Sequence, residues 1–148
     1  MKKKLNKIAK DTNFFLKSFI TKQQKSKLIV PMKYGLFSGG KKIRSKILID
    51  IGNLFKIDYR ILIIIGSAVE CIHAYSLIHD DLPCMDNDPI RRGKPSTHIK
   101  FGESTAVLAG NSLLTMAYEI LSHKDLNILE KTKVDLINKI SESSGHLG

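Results

Sequence analysis

The sequence IDYRILIIIGSAVECIHAYSLIHDDL, residues 57–82, decides the fold. Its side chains are apolar almost all the way round a helix, and a helix of this kind is buried at the centre of a protein. Pro83 follows directly and ends the helix, because proline lacks the backbone N–H that a helix interior needs. We therefore predict a long central helix whose last residues present Asp80 to the following loop.

An acidic cluster and a basic cluster follow one another in that loop. The segment HDDLPCMDNDPIRRGKP, residues 79–95, contains Asp80, Asp81, Asp86 and Asp88, followed by three cations. Carboxylates this close repel one another unless a cation lies between them, and Mg²⁺ accepts such oxygens together with substrate phosphates. Arginine offers phosphate a planar fork of donors. These residues predict a magnesium-bridged diphosphate site, and a solvated acidic loop with a basic flank is the plainer alternative.

Polar residues on the central helix and upstream of it extend this prediction. His73 lies two helical turns before Asp80 and therefore on the same face. Glu70 shares that face, and a buried carboxylate needs a partner that the sequence does not name. In Gly39-Gly40-Lys41-Lys42-Ile43-Arg44, the glycines let the backbone approach an anion at a helix start, and Lys41 and Arg44 share a face. A helix cap followed by solvated cations is the alternative.

The rest of the chain has the periodicity of helices. Apolar residues at Leu5, Ile8, Phe15, Phe19 and Ile20 predict an amphipathic helix that ends near residues 21–27. A short helix or turn at 29–37, helices at 41–55, 103–122 and 126–143, and a loop at 84–97 complete the prediction. Small residues at Ala106, Ala109, Gly110 and Ala117 should permit close helix approach. Because no strand-like alternation of any length is present, we predict an all-α fold.

Composition excludes several functional classes. The net charge is +10, but the cations are spread along the chain without interleaved aromatic residues, which argues against a nucleic-acid binder. Cys71 and Cys84 have neither disulfide nor metal-site spacing. The most apolar run, Ile61 to Val69, is too short to span a bilayer. We therefore expect a cytoplasmic protein without stable membrane insertion.

The motifs together resemble those of the isoprenyl diphosphate synthases. Asp-Asp, four residues, Asp and then Arg-Arg-Gly is similar to the first aspartate-rich motif of that family, in the spacing of bacterial-type enzymes. Residues 39–44 resemble its Gly-Gly-Lys-x-x-Arg motif, and residues 70–79, 97–103 and 109–110 continue the likeness over roughly residues 31–121. Ser45 stands where the family usually has proline, which we expect to loosen the local turn. Asn111 stands where it commonly has aspartate.

The resemblance implies an antiparallel helix bundle of the isoprenoid synthase type and the condensation of an allylic diphosphate with isopentenyl diphosphate to give farnesyl diphosphate. Asp80 and Asp86 would bind Mg²⁺, with Asp81 and Asp88 as nearby candidates. Arg91 would hold the allylic diphosphate. The residues that would hold isopentenyl diphosphate are Lys41, Arg44, His73 and Arg92. Tyr75, followed by Ser76, implies a short product, with geranylgeranyl diphosphate as the near alternative.

On this resemblance, residues 1–148 are the amino-terminal part of a polyprenyl synthetase domain. Such an enzyme also carries a second aspartate-rich motif, which these residues do not contain. We therefore expect the chain alone to be nearly inactive, and the full-length protein to be a homodimer. Two other interpretations stay open. His79-Asp80 could belong to a metal-dependent phosphohydrolase, or the chain could be a non-catalytic diphosphate-binding subunit that a second chain completes.

Overall fold

The computed structural model describes residues 2–23 and 25–147, and it is a helix bundle. The elements in order are α1 (Lys2–Thr21), α2 (Ile29–Leu36), α3 (Ile43–Leu54), α4 (Tyr59–Asp80), β1 (Ile90–Arg91), β2 (Lys94–Pro95), α5 (Thr97–Phe101), α6 (Glu103–Ser122) and α7 (Glu130–Ser144). The predicted all-α fold is confirmed. The strands form one short antiparallel hairpin inside the predicted 84–97 loop, which the sequence did not indicate.

Helix α4 is the centre of the bundle, as its sequence predicts. Asp58 caps its start by accepting hydrogen bonds from the backbone N–H groups of Arg60 and Ile61, at 2.9 and 3.2 Å. Its apolar side chains pack with those of α1, α2 and α6 in the main core, in which Ile64, Cys71 and Leu113 are fully buried. The predicted α6 has the observed bounds, whereas α7 begins four residues later than predicted. All four of the small residues predicted to allow close approach are buried.

Helix α3 turns its most apolar stripe outward. The stripe that indicated the helix, at steps of four residues, is Ile43, Ile47, Ile51 and Phe55, and each is more than half exposed. The face that packs on α4 is instead Ser45, Ile49 and Gly52. A Cβ atom on Gly52 would lie 2.2 Å from Leu62, so the small residue is what allows this close contact.

The length of α4 corrects one expectation from the sequence. The helix that contains residues 61–69 has 22 residues, and by length and composition alone it could cross a membrane. More than half of its apolar window is buried against the rest of the protein. Burial, and not insufficient length, is therefore the property that identifies α4 as a core helix.

Candidate functional site

The aspartate-rich loop folds back onto the end of α4. The backbone N–H of Asp86 donates to the carbonyl of Asp80 at 2.8 Å, and that of Asp88 donates to the carbonyl of Asp81 at 3.1 Å. The carbonyls in the last turn of a helix lack partners within the helix, and the loop supplies some of these partners. Asn87 takes a left-handed conformation, with φ of 54°, within this turn. The fold-back brings Asp86 beside Asp80, although five residues separate them in the chain.

Asp81 and Arg91 form an ion pair at the base of this loop. Asp81 is only 2% exposed, and both of its carboxylate oxygens accept from Nε of Arg91, at 2.7 and 2.8 Å. Nη2 of Arg91 lies 2.5 Å from Oδ1 of Asp81 and 3.8 Å from the carboxylate of Asp88. The hydrogen bond to Asp81 raises the pKa of the guanidinium. Among the described residues none accepts from Nη1, so that nitrogen can still donate to a ligand.

Asp80 and Asp86 suit a magnesium ion whose coordination shell is completed by the phosphates of a substrate. Asp80 is half-buried and Asp86 is exposed, and the fold-back places them side by side. Within residues 2–23 and 25–147, no three His, Cys, Asp or Glu side chains converge on a point where they could hold a metal alone. Magnesium commonly uses one or two carboxylates and takes its remaining ligands from water and phosphate. The donor set therefore fits a substrate-bridged ion better than an ion in a cage of protein ligands.

The predicted cations meet in one cavity of about 100 Å³ between the α2–α3 loop and α4. Its lining includes Lys41, Arg44, His73 and Arg92, which come from three separate parts of the sequence. Arg92 reaches this cavity by donating through Nη1 to the carbonyl of Gly39. A second cavity, lined by Asp81 and Arg91, shares wall residues of α2 and α4 with the first. The cavity with Lys41, Arg44 and Arg92 and the cavity with Arg91 therefore lie next to each other along α4.

His73 and Arg44 are joined by a hydrogen bond that fixes the histidine tautomer. Nη1 of Arg44 lies 3.1 Å from Nε2 of His73. A guanidinium can only donate, so Nε2 must be the acceptor and the neutral ring carries its proton on Nδ1. Burial and then the charge of Arg44 lower the pKa of His73. The cavity therefore has a neutral, half-buried imidazole surrounded by permanent cations.

The structure supplies the partners of Glu70 that the sequence could not name. Oε1 accepts from the backbone N–H and from the hydroxyl of Ser45, each at 3.1 Å, and Oε2 lies 3.6 Å from Nζ of Lys42. The carbonyl of Gly66 lies 2.9 Å from the same Ser45 hydroxyl, whose single hydrogen is shared between this carbonyl and Oε1 of Glu70. Proline could make none of these bonds as a donor, so Ser45 ties the start of α3 to α4 in a way that proline could not. That the turn is looser than with proline stays a prediction. The only sequence signal was an ionisable residue within an apolar helix.

The two residues predicted to set product length, Tyr75 and Ser76, lie on α4 between His73 and Asp80. Tyr75 is half-buried and its ring packs edge-on against His79, with centroids 4.7 Å apart. Ser76 is half-buried and donates to the carbonyl of His73 at 3.0 Å. His79 lies with Nε2 3.1 Å from the carbonyl of Val107 on α6, so its ring contributes to helix packing.

An all-α bundle with paired aspartates at a helix end and clustered cations beside them has the donors that a site for diphosphate esters needs. The sequence model of the family described as Polyprenyl synthetase matches residues 25–147. The chain belongs to this family. It is 48% identical over 126 residues to a farnesyl diphosphate synthase of Buchnera aphidicola, an alignment that covers 84% of this chain and 45% of that protein.

Two further similarities agree with this assignment. A geranylgeranyl pyrophosphate synthase of Arabidopsis thaliana is 44% identical over 117 residues, covering 79% of this chain and 31% of that protein. The crystal structure of an FPP/GFPP synthase from Zymomonas mobilis superimposes with a TM-score of 0.94 at 36% identity, covering 99% of this chain and 54% of that chain. The chain therefore spans about half the length, or less, of these relatives.

Proposed function

We propose that this chain forms the diphosphate-binding part of a prenyltransferase that condenses an allylic diphosphate with isopentenyl diphosphate to give farnesyl diphosphate. The observation that carries the proposal is the meeting of Lys41, Arg44, His73 and Arg92 in one cavity beside the aspartate-rich loop. Two neighbouring basic sites suit a reaction that holds two diphosphate esters at once. Family membership supports the same reaction class.

The proposed roles follow from what each side chain can donate. Lys41 and Arg44, both exposed at the cavity, would bind isopentenyl diphosphate together with Arg92. His73 donates from Nδ1 or, when protonated, from both nitrogens. Arg91 would hold the allylic diphosphate through Nη1, while Asp81 keeps the rest of the guanidinium in place. We therefore propose that Asp81 orients Arg91 and is not itself a metal ligand.

Asp80 and Asp86 are the residues that would hold magnesium. When bound, the ion supplies charge neutralisation for a departing diphosphate. The two carboxylates would provide oxygen ligands at the loop, where Asp86 is exposed and Asp80 is half-buried. The apolar side chains of α4 around the site would shield a reactive carbocation from water.

Product length is proposed from the position of Tyr75. With a rise of about 1.5 Å per residue, Tyr75 lies about 7.5 Å along α4 from Asp80. Its contact with His79 restrains the ring there. A bulky ring at this depth would stop a growing prenyl chain early, which favours farnesyl diphosphate. Geranylgeranyl diphosphate is the alternative, and one relative is a synthase of that product.

The outward apolar face of α3 supports the proposal that further helices complete the enzyme. It borders a groove of about 520 Å³ between α3, α4 and α7, and Arg44 lines both this groove and the basic cavity. Exposed apolar patches of this kind mark interaction surfaces. We propose that a second polypeptide segment with the other aspartate-rich motif covers the groove, in a cytoplasmic, homodimeric enzyme. The alternative of a non-catalytic subunit shares this feature.

The test is calorimetric titration of the 148-residue chain with isopentenyl diphosphate and with inorganic pyrophosphate, with and without magnesium. Arg44→Ala should weaken binding about 10- to 100-fold, because it removes a charge-assisted hydrogen bond worth about 1.5–3 kcal/mol. Arg60→Ala is the matched control, since Arg60 is equally exposed but lies at the other end of α4.

Asp80→Asn should abolish the part of the affinity that depends on magnesium, whereas Asp135→Asn on α7 should leave it intact. Unchanged magnesium dependence in the Asp80 and Asp86 variants would disprove the proposed metal site. Dimethylallyl and isopentenyl diphosphates should give almost no product with the chain alone, and robust turnover would refute the proposal that another segment is required. Phosphate release from nucleotides would instead support a phosphohydrolase.

A further inference from the structure

A buried group of three residues, Lys42, Ser45 and Glu70, forms part of the inner wall of the basic cavity, and Lys42 and Glu70 line it directly. Glu70 is 2% exposed and Lys42 is 7% exposed. Nζ of Lys42 donates to the carbonyl of Leu36 at 3.1 Å and lies 3.6 Å from Glu70. Ser45 completes the group by donating twice to Glu70. Neither charged residue has an assigned role in binding or in chemistry.

This arrangement is costly, which indicates that it serves a purpose. Burying an ionised side chain is strongly unfavourable unless it is paired and hydrogen-bonded. Burial lowers the pKa of Lys42, even with Glu70 beside it. The backbone of Lys42 is left-handed, with φ of 50° and ψ of 49°, a region that non-glycine residues rarely occupy. Strain of this kind persists only where the surroundings enforce it, and it is frequent at functional sites.

The enforced conformation sets the position of Arg44. Lys42 precedes α3 and turns its side chain inward, while Lys41 and Arg44 on either side stay exposed at the cavity. The N–H that Glu70 holds belongs to the peptide bond between Arg44 and Ser45. That N–H is one of the unpaired donors at the start of α3, where a carboxylate is favourable. Glu70 therefore fixes the backbone next to Arg44.

Glu70 also fixes Arg44 relative to the opposite wall. Glu70 and His73 lie one turn apart on α4, so the carboxylate connects the start of α3 to the helix that carries His73. The 3.1 Å bond between Arg44 and His73 spans the same two helices. A Cβ atom on Gly66 would lie 3.2 Å from Ser45, so α3 and α4 are already close here and the contact has little freedom.

We propose that Glu70 is a positioning residue for diphosphate binding. It acts through Lys42 and Ser45 to hold the loop before α3 and the first turn of α3, with Arg44 against His73. The inference rests on the proposed function in one respect, namely that the ligand of the basic cavity is a diphosphate. Lys42 and Glu70 line the inner wall of the cavity and are almost fully buried, and their polar atoms are engaged with Leu36, Ser45 and each other, so we assign Glu70 a positioning role. Glu70→Gln is the sharpest variant, because it keeps the shape and one acceptor oxygen but removes the charge that attracts Lys42.

The experiment measures three properties of the full 148-residue chain. These are the dissociation constant for inorganic pyrophosphate with magnesium, the urea unfolding curve, and the ¹⁵N NMR signals of the His73 ring, which report its tautomer. We expect Glu70→Gln to weaken pyrophosphate binding at least about tenfold and to convert His73 from the single Nδ1–H tautomer to a mixture. Ser67→Ala is the matched control: Ser67 is buried on α4 and, within the described part of the chain, donates only to the carbonyl of Ile63.

Unchanged pyrophosphate affinity together with an unchanged His73 spectrum in Glu70→Gln would overturn the inference. Should Glu70→Gln fail to fold, Ser45→Ala, which removes one hydroxyl, and the charge-free Lys42→Met/Glu70→Gln pair replace it. The pair should recover stability but not affinity, whereas a purely structural role predicts that both recover. Should the wild-type chain not bind pyrophosphate, the proposed function fails. The His73 spectrum then decides alone whether Glu70 positions the cavity.

Discussion

Replacing Arg91 with methionine should destabilise the protein more than replacing Asp81 with asparagine, although both changes break the same ion pair. The reason is the unequal burial of the two partners. The Asp81 side chain is 3% exposed, whereas that of Arg91 is 26% exposed. Arg91→Met therefore leaves a carboxylate without a cation inside the protein. Asp81→Asn leaves a guanidinium that can turn toward water.

The magnitudes follow from this difference. Leaving one charge of a buried pair uncompensated costs about 3–5 kcal/mol, which we expect for Arg91→Met. Losing a charge-assisted hydrogen bond while the remaining charge is solvated costs about 1.5–3 kcal/mol, which we expect for Asp81→Asn. The double variant should be more stable than Arg91→Met alone, because the buried amide carries no charge.

Urea unfolding followed by far-ultraviolet circular dichroism measures these free energies for the wild type, both single variants and the double variant. Arg92→Met is the control, because Arg92 is exposed and its one hydrogen bond to a described residue is to a loop carbonyl, that of Gly39. It should change the free energy of unfolding by less than about 1 kcal/mol. The reasoning is refuted if Asp81→Asn costs as much as Arg91→Met, or if the two effects simply add.

Three further predictions concern α4 and its neighbours. Diphosphate binding should take up a proton and tighten as the pH falls from 8 to 6, because the lowered pKa of His73 rises beside an anion. Calorimetry in buffers of different ionisation enthalpy measures this proton uptake. In His73→Gln, the only proton uptake left should be that of the diphosphate itself. Ser45→Pro should cost about 1–3 kcal/mol of unfolding free energy, because the buried Glu70 loses two donors, and an unaltered urea midpoint would contradict this. In an active assembly, Tyr75→Ala should lengthen the prenyl product, and identical product chains from both enzymes would remove the inference.

The lowered pKa of His73 also has a consequence for stability. The folded protein binds a proton at this ring less readily than the unfolded chain, whose histidine titrates near its ordinary value of 6.5. The corresponding stability is fully present above that value. It is lost as the pH falls below 6.5 toward the lower pKa of the folded state. Acid should therefore weaken the wild type more than a His73→Gln variant.

Most of the fold could be predicted from the sequence, because the spacing of apolar residues that indicates a helix can be read within each segment alone. The bounds of α6 were correct, and α4 differed by two residues at each end. Helix α3 shows where periodicity stops being informative. Its most apolar face is Ile43, Ile47 and Ile51, yet the face with Ser45 and Gly52 packs on α4. The small size of Ser45 and Gly52 allows the two helices to approach closely, and the spacing of apolar residues gives no information about such a contact.

The sequence by itself determined the family of this protein, since the order and spacing of its aspartates, arginines and glycines are properties of the chain and not of its folding. Only the tertiary structure decided which charges meet. It paired Asp81 with Arg91, and it closed Glu70 on Lys42 and Ser45. These contacts join residues 10 to 28 positions apart. The contact of Glu70 with Lys42 depends on the left-handed backbone of that lysine, just before α3. Such a conformation exists only because the packed helices on both sides enforce it.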